Sequence, residues 1–388
     1  MKRAARRGGA PAGAAMRWSV RAARLFGVDV KVHATFGLVL VLGAVQWGTG
    51  RGAAGALFGA ALMLALFVCV VLHELGHSLV ARAFGVPTRE IVLLPIGGVA
   101  LMGPMPRSPL RELAIAVAGP LVNVLLAGLL APATGVTAAL LGLDAQGLVR
   151  GAGAPSVPTF LLWLLGANVS LAVFNMVPAF PLDGGRILRA LLALCLDHER
   201  ATQVAAVVGQ LIAAAFGFFG LVFGAPTLLL VALFIFLGAT GEGRRARLAP
   251  LLARLSAREA CNARALRLAP QDTVERAADY VLAAHQPDFA VVEEDRLLGV
   301  VTRDDLVDAL ARGVGGAAVA GIMRSDAPRA KAGATLAEVQ DALYAAGARV
   351  AAVFDGERFL GLLSLEDIAR ALMLAPWPER PGAGAAPR

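Results

Sequence analysis

Cysteine, charge and aromatic residues are all scarce in this chain of 388 residues. Its three cysteines, Cys69, Cys195 and Cys261, lie far apart with no C-x-x-C pair. That excludes a disulfide framework and a thiolate zinc site. Charged residues make up 16%, against roughly a quarter in an average soluble domain, which excludes an ordinary soluble protein. Intrinsic disorder fails too, because disordered chains are polar and charge-rich. The net charge of +8 comes with only 6% aromatics, and Lys and Arg cluster beside apolar segments, so membrane topology explains the charge and no nucleic-acid partner is expected.

What remains is apolar mass: 57% hydrophobic residues and a mean hydropathy of +0.69. Apolar stretches cover 34–50, 53–83, 109–131, 159–177, 202–223 and 226–240, several of them near the ~20 residues that span a bilayer. The pattern predicts a polytopic α-helical membrane protein with about six transmembrane helices. The basic segment 1–31 (Lys2, Arg3, Arg6, Arg7, Arg17, Arg21, Arg24, Lys31) reads as an N-terminal arm with no signal-peptide cleavage site. Basic loops stay on the cytoplasmic side. Arg51 and Arg150 alone mark one set of connections, whereas Arg82, Arg89, Arg107, Arg186, Arg200 and Arg244 mark the other. Both termini are therefore expected in the cytosol, at the plasma membrane.

From about 249 the composition changes to short apolar runs alternating with charged helices, a soluble α/β pattern. An internal repeat lies within it. TVERAADYVLAA leads to FAVVEEDRLLGVVTRDDLVDAL, and TLAEVQDALYAAG leads to VAAVFDGERFLGLLSLEDIARAL. The expected organisation is an arm (1–31), an apolar membrane domain (32–243), a repeated domain (249–374, copies 249–312 and 318–374) and a tail (375–388).

The chemistry-bearing feature is His73-Glu74-Leu75-Gly76-His77 in the second apolar stretch. Residues four apart on a helix share a face, so both imidazoles reach one zinc ion and Glu74 reaches its water. A chance HExxH would need a polar setting. Here ALFVCVV precedes it and SLVARAF follows it, so three ionisable groups sit at membrane depth, where such groups mark function. A catalytic zinc needs a third protein ligand. His33, His198 and His285 lie in other regions, and Cys69, one turn before His73, is either a soft ligand or a small apolar filler. Asp183, in FNMVPAFPLDGGRIL after the fourth stretch, is favoured because that stretch ends at the same depth. Asn175 there is either a helix-end cap or a hydrogen-bond donor to a reacting carbonyl.

HELGH at 73–77, LLPIGG at 93–98, AGPLVN at 118–123 and FNMVPAFPLDGGRILRA at 174–190, in that order, resemble the site-2 proteases (peptidase family M50). These are intramembrane zinc metalloproteases. The resemblance implies that His73, His77 and Asp183 bind one zinc ion, that Glu74 is the general base and that Asn175 assists at the reacting carbonyl. It also implies that the segment around Gly97 and Gly98 forms a membrane-associated hairpin on which an unwound substrate pairs as a strand. A plain re-entrant connection is the alternative. The implied partner is a transmembrane protein, such as a membrane-anchored anti-sigma factor or pro-transcription factor.

The repeated region resembles a tandem pair of cystathionine-β-synthase (CBS) domains, with GVVTRDD at 299–305 and GLLSLED at 361–367 in equivalent places. That resemblance implies ATP, ADP or AMP held by Thr302, Asp305, Ser364 and Asp367, and pairing into a homodimer. A helix-capping box accounts for the same four residues. The 132–158 connection is too short for an inserted PDZ-like domain, since domains run to at least ~50 residues. The competing functions are a CBS-regulated transporter or channel, which should show inverted repeats, and a zinc-binding scaffold without catalysis.

Overall fold

A run of Leu, Ala, Val and Phe has no water to bond with inside a bilayer, so its backbone must satisfy itself, and a helix does this within one segment. The computed structural model describes residues 18–374 except 96, 104, 107 and 285. The chain divides into two units at residues 246 and 247.

In the first unit, β1 (Ser19–Leu25) and β2 (Val28–His33) form a hairpin, followed by α1 (Phe36–Gly48) and α2 (Gly52–Ala83). Next come β3 (Thr88–Leu94), β4 (Gly97–Met102), α3 (Pro109–Leu140), α4 (Ala145–Arg150), α5 (Val157–Asn175), α6 (Asp183–Leu192), α7 (His198–Val222) and α8 (Pro226–Arg254). Among the described residues, five helices, α2, α3, α5, α7 and α8, are long and apolar enough to cross a membrane. The stretch expected as a first span is shorter. α1 has 13 residues, about 20 Å at ~1.5 Å per residue, against a hydrocarbon core of ~30 Å. It packs along α2, with Phe36 edge-on to Phe67 at 4.7 Å and Trp47 against Phe58 at 4.6 Å.

The four strands pair in the order β1-β2-β3-β4, antiparallel except for β2 with β3. The second half of the basic arm is thus part of a sheet. Its Val28 and Val30, with Ile91 and Leu93 of β3, pack against Phe67, Val71 and Leu75 of α2. The part of the arm before residue 18 and the tail from 375 lie outside the described residues.

This unit exposes apolar side chains on its outside and buries a polar cluster among the apolar ones within. Leu57, Leu129, Leu221 and Phe223 are exposed, whereas His73, His77, Asn123, Asn168 and Asp183 are buried. One ion pair is buried with them. Arg189 of α6 donates Nε–H to Glu112 Oε1 of α3 (2.7 Å), lies 3.4 Å from Glu242 of α8, and stacks over the Phe180 ring at 5.1 Å.

The second unit repeats one motif. The α9 turn (Ala257–Ala260) precedes β5 (Arg267–Leu268), α10 (Val274–Ala284), β6 (Phe289–Glu293), β7 (Arg296–Val301) and α11 (Arg303–Ala311). Then β8 (Arg329–Lys331), α12 (Leu336–Ala346), β9 (Val350–Asp355), β10 (Arg358–Ser364) and α13 (Leu365–Leu374) run in the same order. Each copy has a three-stranded sheet with one parallel and one antiparallel pairing. Each has its own apolar core, and a third cluster joins Ala290 and Val300 of one copy to Val350, Ala352 and Leu362 of the other.

Removing one partner of a buried pair strands the other charge, typically at a cost of about 3–5 kcal/mol. Glu112→Gln should therefore lower the unfolding temperature of the detergent-purified protein sharply, towards the lower end of that range because Glu242 remains. The double variant E112L/R189M should recover most of the loss. A melting curve for E112Q that overlays the wild type would show that Arg189 does not depend on Glu112.

Candidate metal centre

The spacing of His73 and His77 matters because α2 runs unbroken through both, placing their rings on one face 4.8 Å apart between centroids. Asp183 comes from much later in the chain. Pro178 and Pro181 keep residues 176–182 irregular after α5 ends, and α6 starts at Asp183 itself. Among the described residues, His73, His77 and Asp183 form the group able to hold a metal ion, and all three are buried. His73 Nε2 and His77 Nε2 are 3.2 Å apart, and Asp183 Oδ2 lies 3.2 Å from the first and 3.1 Å from the second.

This triangle fits zinc. A tetrahedral ion ~2.0–2.1 Å from each ligand sets its ligand atoms roughly 3.3–3.4 Å apart, which the donor set matches to within a few tenths of an ångström. The outer contacts fit as well. His73 Nδ1 is 2.5 Å from Asn123 Oδ1, and His77 Nδ1 is 2.7 Å from the carbonyl oxygen of Ile115. Both acceptors call for an N–H at Nδ1, which leaves each Nε2 lone pair facing the centre. Asn123 in turn donates to Asn168 Oδ1 (2.8 Å), and Asn168 donates to the Leu164 carbonyl (2.9 Å) and to Cys69 Sγ (3.3 Å). Cys69 therefore stands behind the centre as a buried acceptor, outside the ligand group.

Gly119 makes this closeness possible. A Cβ there would lie 2.1 Å from His77 Nε2 and 2.7 Å from His73 Nε2, so α3 crosses the histidines where it has no side chain. A cleft of about 410 Å³ opens onto the centre, lined by Glu74, Asn175, Gly97, Gly98, Arg186 and Phe234 among others. The predicted residues of the first unit thus converge on one cleft. Asn175 ends α5. β4 is the outer strand of its sheet, and a Cβ on Gly98 would come within 2.8 Å of Glu74 Cγ, so the strand passes directly over the Glu74 side chain.

The other histidines go elsewhere. His33 bonds Thr35 (2.7 Å), His198 lies 4.0 Å from Glu112, and His285 is outside the described residues. Asn123, Asn168, Gly119 and Arg186 are the additions that sequence reasoning misses. The signal for Asn123 is a lone amide within the apolar segment of AGPLVN.

In the second unit the structure brings Thr302 to Asp305 and Ser364 to Asp367, but as two separate pairs. Both are helix caps. The Thr302 hydroxyl donates to Asp305 Oδ2 (2.6 Å) and the Ser364 hydroxyl to Asp367 Oδ2 (2.7 Å), with the reciprocal backbone bonds present. Burial raises the pKa of the Asp305 carboxyl, but Arg324 and Thr302 outweigh it and hold the group below the ordinary carboxylate range.

Comparison with known proteins gives the same division. The model of peptidase family M50 matches residues 61–142 and 145–219, and that of the CBS domain matches 257–312 and 319–374. A zinc metalloprotease of Methanocaldococcus jannaschii is 34% identical over 288 residues, 74% of this chain and 78% of its own. The Mycobacterium tuberculosis protein named Rip3 is 28% identical over 385 residues, 92% of this chain and 93% of its own. Among solved structures, a site-2 protease from M. jannaschii is 37% identical and covers 58% of this chain and 96% of that one, with a TM-score of 0.43.

Outer ligands of this kind typically contribute 10–100-fold to metal affinity. Asn123→Ala should weaken zinc binding by roughly that factor, read by competition with a chelator of known affinity. Asn123→Asp, which keeps an acceptor for the His73 N–H, should bind more tightly than the alanine variant. Equal affinity for wild type and Asn123→Ala would remove the residue from the centre.

Proposed function

The chain belongs to peptidase family M50, and we propose that it is an intramembrane zinc metalloprotease that cuts a membrane-anchored substrate within or near its transmembrane segment. We further propose that its CBS pair senses an adenine nucleotide. The observation that carries the protease reading is a buried His73, His77 and Asp183 triangle opening onto the same cleft as Glu74, inside a unit whose outer surface is apolar.

When bound, zinc supplies a Lewis acid that makes a water nucleophilic near neutral pH and polarises a carbonyl. Glu74 takes the proton of the attacking water and returns it to the leaving amine as the C–N bond breaks. Asn175, which lines the cleft, donates its amide N–H to the reacting oxygen as charge develops there, a contribution typically worth about 2.7–4 kcal/mol of barrier. Asp183 and the two histidines hold the metal and take no proton. β4, with its outer edge and the small side of Gly97 and Gly98 towards the cleft, is the surface on which an extended substrate segment pairs.

The protein is a multi-pass membrane protein, and we assign the catalytic end of α2 to the cytosolic side of the plasma membrane. Two features support that orientation. Arg82, Arg186, Arg189, Arg200 and the Arg244–Arg245 pair all lie towards one set of helix ends, with only Arg51 and Arg150 at the other. Although short, α1 returns antiparallel along α2, from Trp47 beside Phe58 to Phe36 beside Phe67. The N-terminal sheet consequently sits against the half of α2 that carries His73.

Elemental analysis should find close to one zinc per chain in the purified wild type and almost none in Asp183→Ala. Glu74→Gln should keep the metal and lose cleavage of a transmembrane peptide in micelles by roughly 10²–10⁴-fold, the span typical for removing a general base. Cleavage persisting in Glu74→Gln would sink the protease mechanism. Ion flux in proteoliposomes that ignores Glu74→Gln would support a transporter.

A further inference from the structure

The CBS pair is built from two copies whose residues correspond at a constant offset of 62: Thr302 with Ser364, Asp305 with Asp367, Val300 with Leu362. Two isolated bridges fix one more correspondence. Val300 pairs with Arg324 in one copy and Leu362 pairs with Asn262 in the other. A Cβ on Gly299 would meet the Arg324 carbonyl, just as one on Gly361 would meet the Asn262 carbonyl. Arg324 and Asn262 therefore occupy the same place, and the copies differ there by a guanidinium.

That guanidinium reaches the first copy's aspartate. Arg324 Nη2 and Nε donate to Asp305 Oδ1 at 2.6 and 2.9 Å, and Oδ2 is already bonded to Thr302. In the second copy, among the described residues, Asn262 makes no such bond, and Asp367 Oδ1 meets Arg370, three residues on along the same helix. Asp367 lines a cleft of about 440 Å³ together with Asn262, Arg264, Asp288, Ser364 and Arg370. The charges also differ between copies. Arg264 and Arg370 of this cleft correspond to Asp326 and Asp308 in the first copy.

From this asymmetry we infer that the pair holds one nucleotide per chain, in the second-copy cleft, and that Arg324 closes the first-copy site by occupying Asp305. The inference rests on the nucleotide-sensing reading proposed above. A ribose diol needs a carboxylate oxygen and a phosphate needs a basic fork, and Asp367 with Arg264 and Arg370 supplies both. The first copy presents a carboxylate held by two nitrogens of the Arg324 fork, against the single Arg370 Nη1 contact on Asp367, and has acidic residues where the phosphate contacts would be.

The test is equilibrium dialysis of the full-length protein in detergent with labelled ATP, ADP and AMP in turn. The expected result is saturation at one nucleotide per chain. Arg264→Asp, at an exposed position, should weaken binding by roughly tenfold or more, as charge reversal at a phosphate contact does. Arg324→Asn should leave the affinity for the first nucleotide unchanged and raise the stoichiometry above one per chain, because it frees Asp305. Two nucleotides per chain in the wild type would overturn the asymmetry and leave nucleotide sensing intact. Weaker binding in Arg324→Asn would also overturn it, since Arg324 would then be a phosphate ligand, and so would a stoichiometry that stays at one, since Arg324 would then not be what closes the site. Unchanged binding in Arg264→Asp would overturn the choice of cleft. No binding of any of the three would overturn the asymmetry and nucleotide sensing together.

Discussion

A bilayer offers no water to a polar atom, and the first unit is arranged around that constraint. Every polar side chain carried into the apolar helices must find a partner in the protein. The bonds from His77 Nδ1 to the Ile115 carbonyl and from His73 Nδ1 to Asn123, and from Asn123 on to Asn168 and Leu164, do this with few loose ends and leave both Nε2 lone pairs and Asp183 Oδ2 facing one another. The same bonds that satisfy the polar atoms also fix the imidazole tautomers and converge three ligand atoms on one point. Stability and metal geometry are here one set of contacts.

The ligands come from α2 and α6, which are more than 100 residues apart, so something must hold these helices in register. α3 is the common reference. It touches the histidines at Gly119, bonds His73 through Asn123, and grips α6 through Glu112 and Arg189. Arg189 lies less than two turns from Asp183 on the same helix. The buried pair and the metal triangle therefore share one lever arm, and the cost of burying Glu112 and Arg189 is offset where it sets the position of the third ligand.

Much of the centre was legible because helical periodicity is local. Four residues separate His73 from His77, and a helix is enough to place them together. Asp183 was reachable by one further step, since two inward-running helices end at the same depth. Asn168 was not reachable. An amide in an apolar helix is visible in the sequence, but its bond to Asn123, 45 residues earlier, is not. The β1–β2 hairpin was hidden by composition: the arm's Arg and Lys dominate the reading, although Val28-Asp29-Val30-Lys31-Val32-His33 alternates with the period of a strand. Length misled at α1, where an apolar stretch extends past the helix into a turn at Gly50–Gly52. In the repeat, equivalent motifs suggested equivalent sites, because the decisive difference lies in Arg324, outside the motif itself.

The sheet in this membrane protein fits the transmembrane substrate proposed above. A transmembrane helix keeps its carbonyls in i to i−4 bonds, and a peptide bond in that state cannot meet a nucleophile. Opening one turn leaves several backbone groups unpaired, each at a cost of about 1–3 kcal/mol where water is excluded. A cleft that only positioned the metal would leave that cost uncompensated. β4 lies along the cleft as the outer strand of its sheet, with glycines at its start, and under the proposed reading its free edge gives an unwound segment new partners as it loses its own. On that reading the strand and the metal triangle answer two halves of one problem: the first offsets the cost of extending the substrate in a dry setting, and the second acts on the bond so exposed.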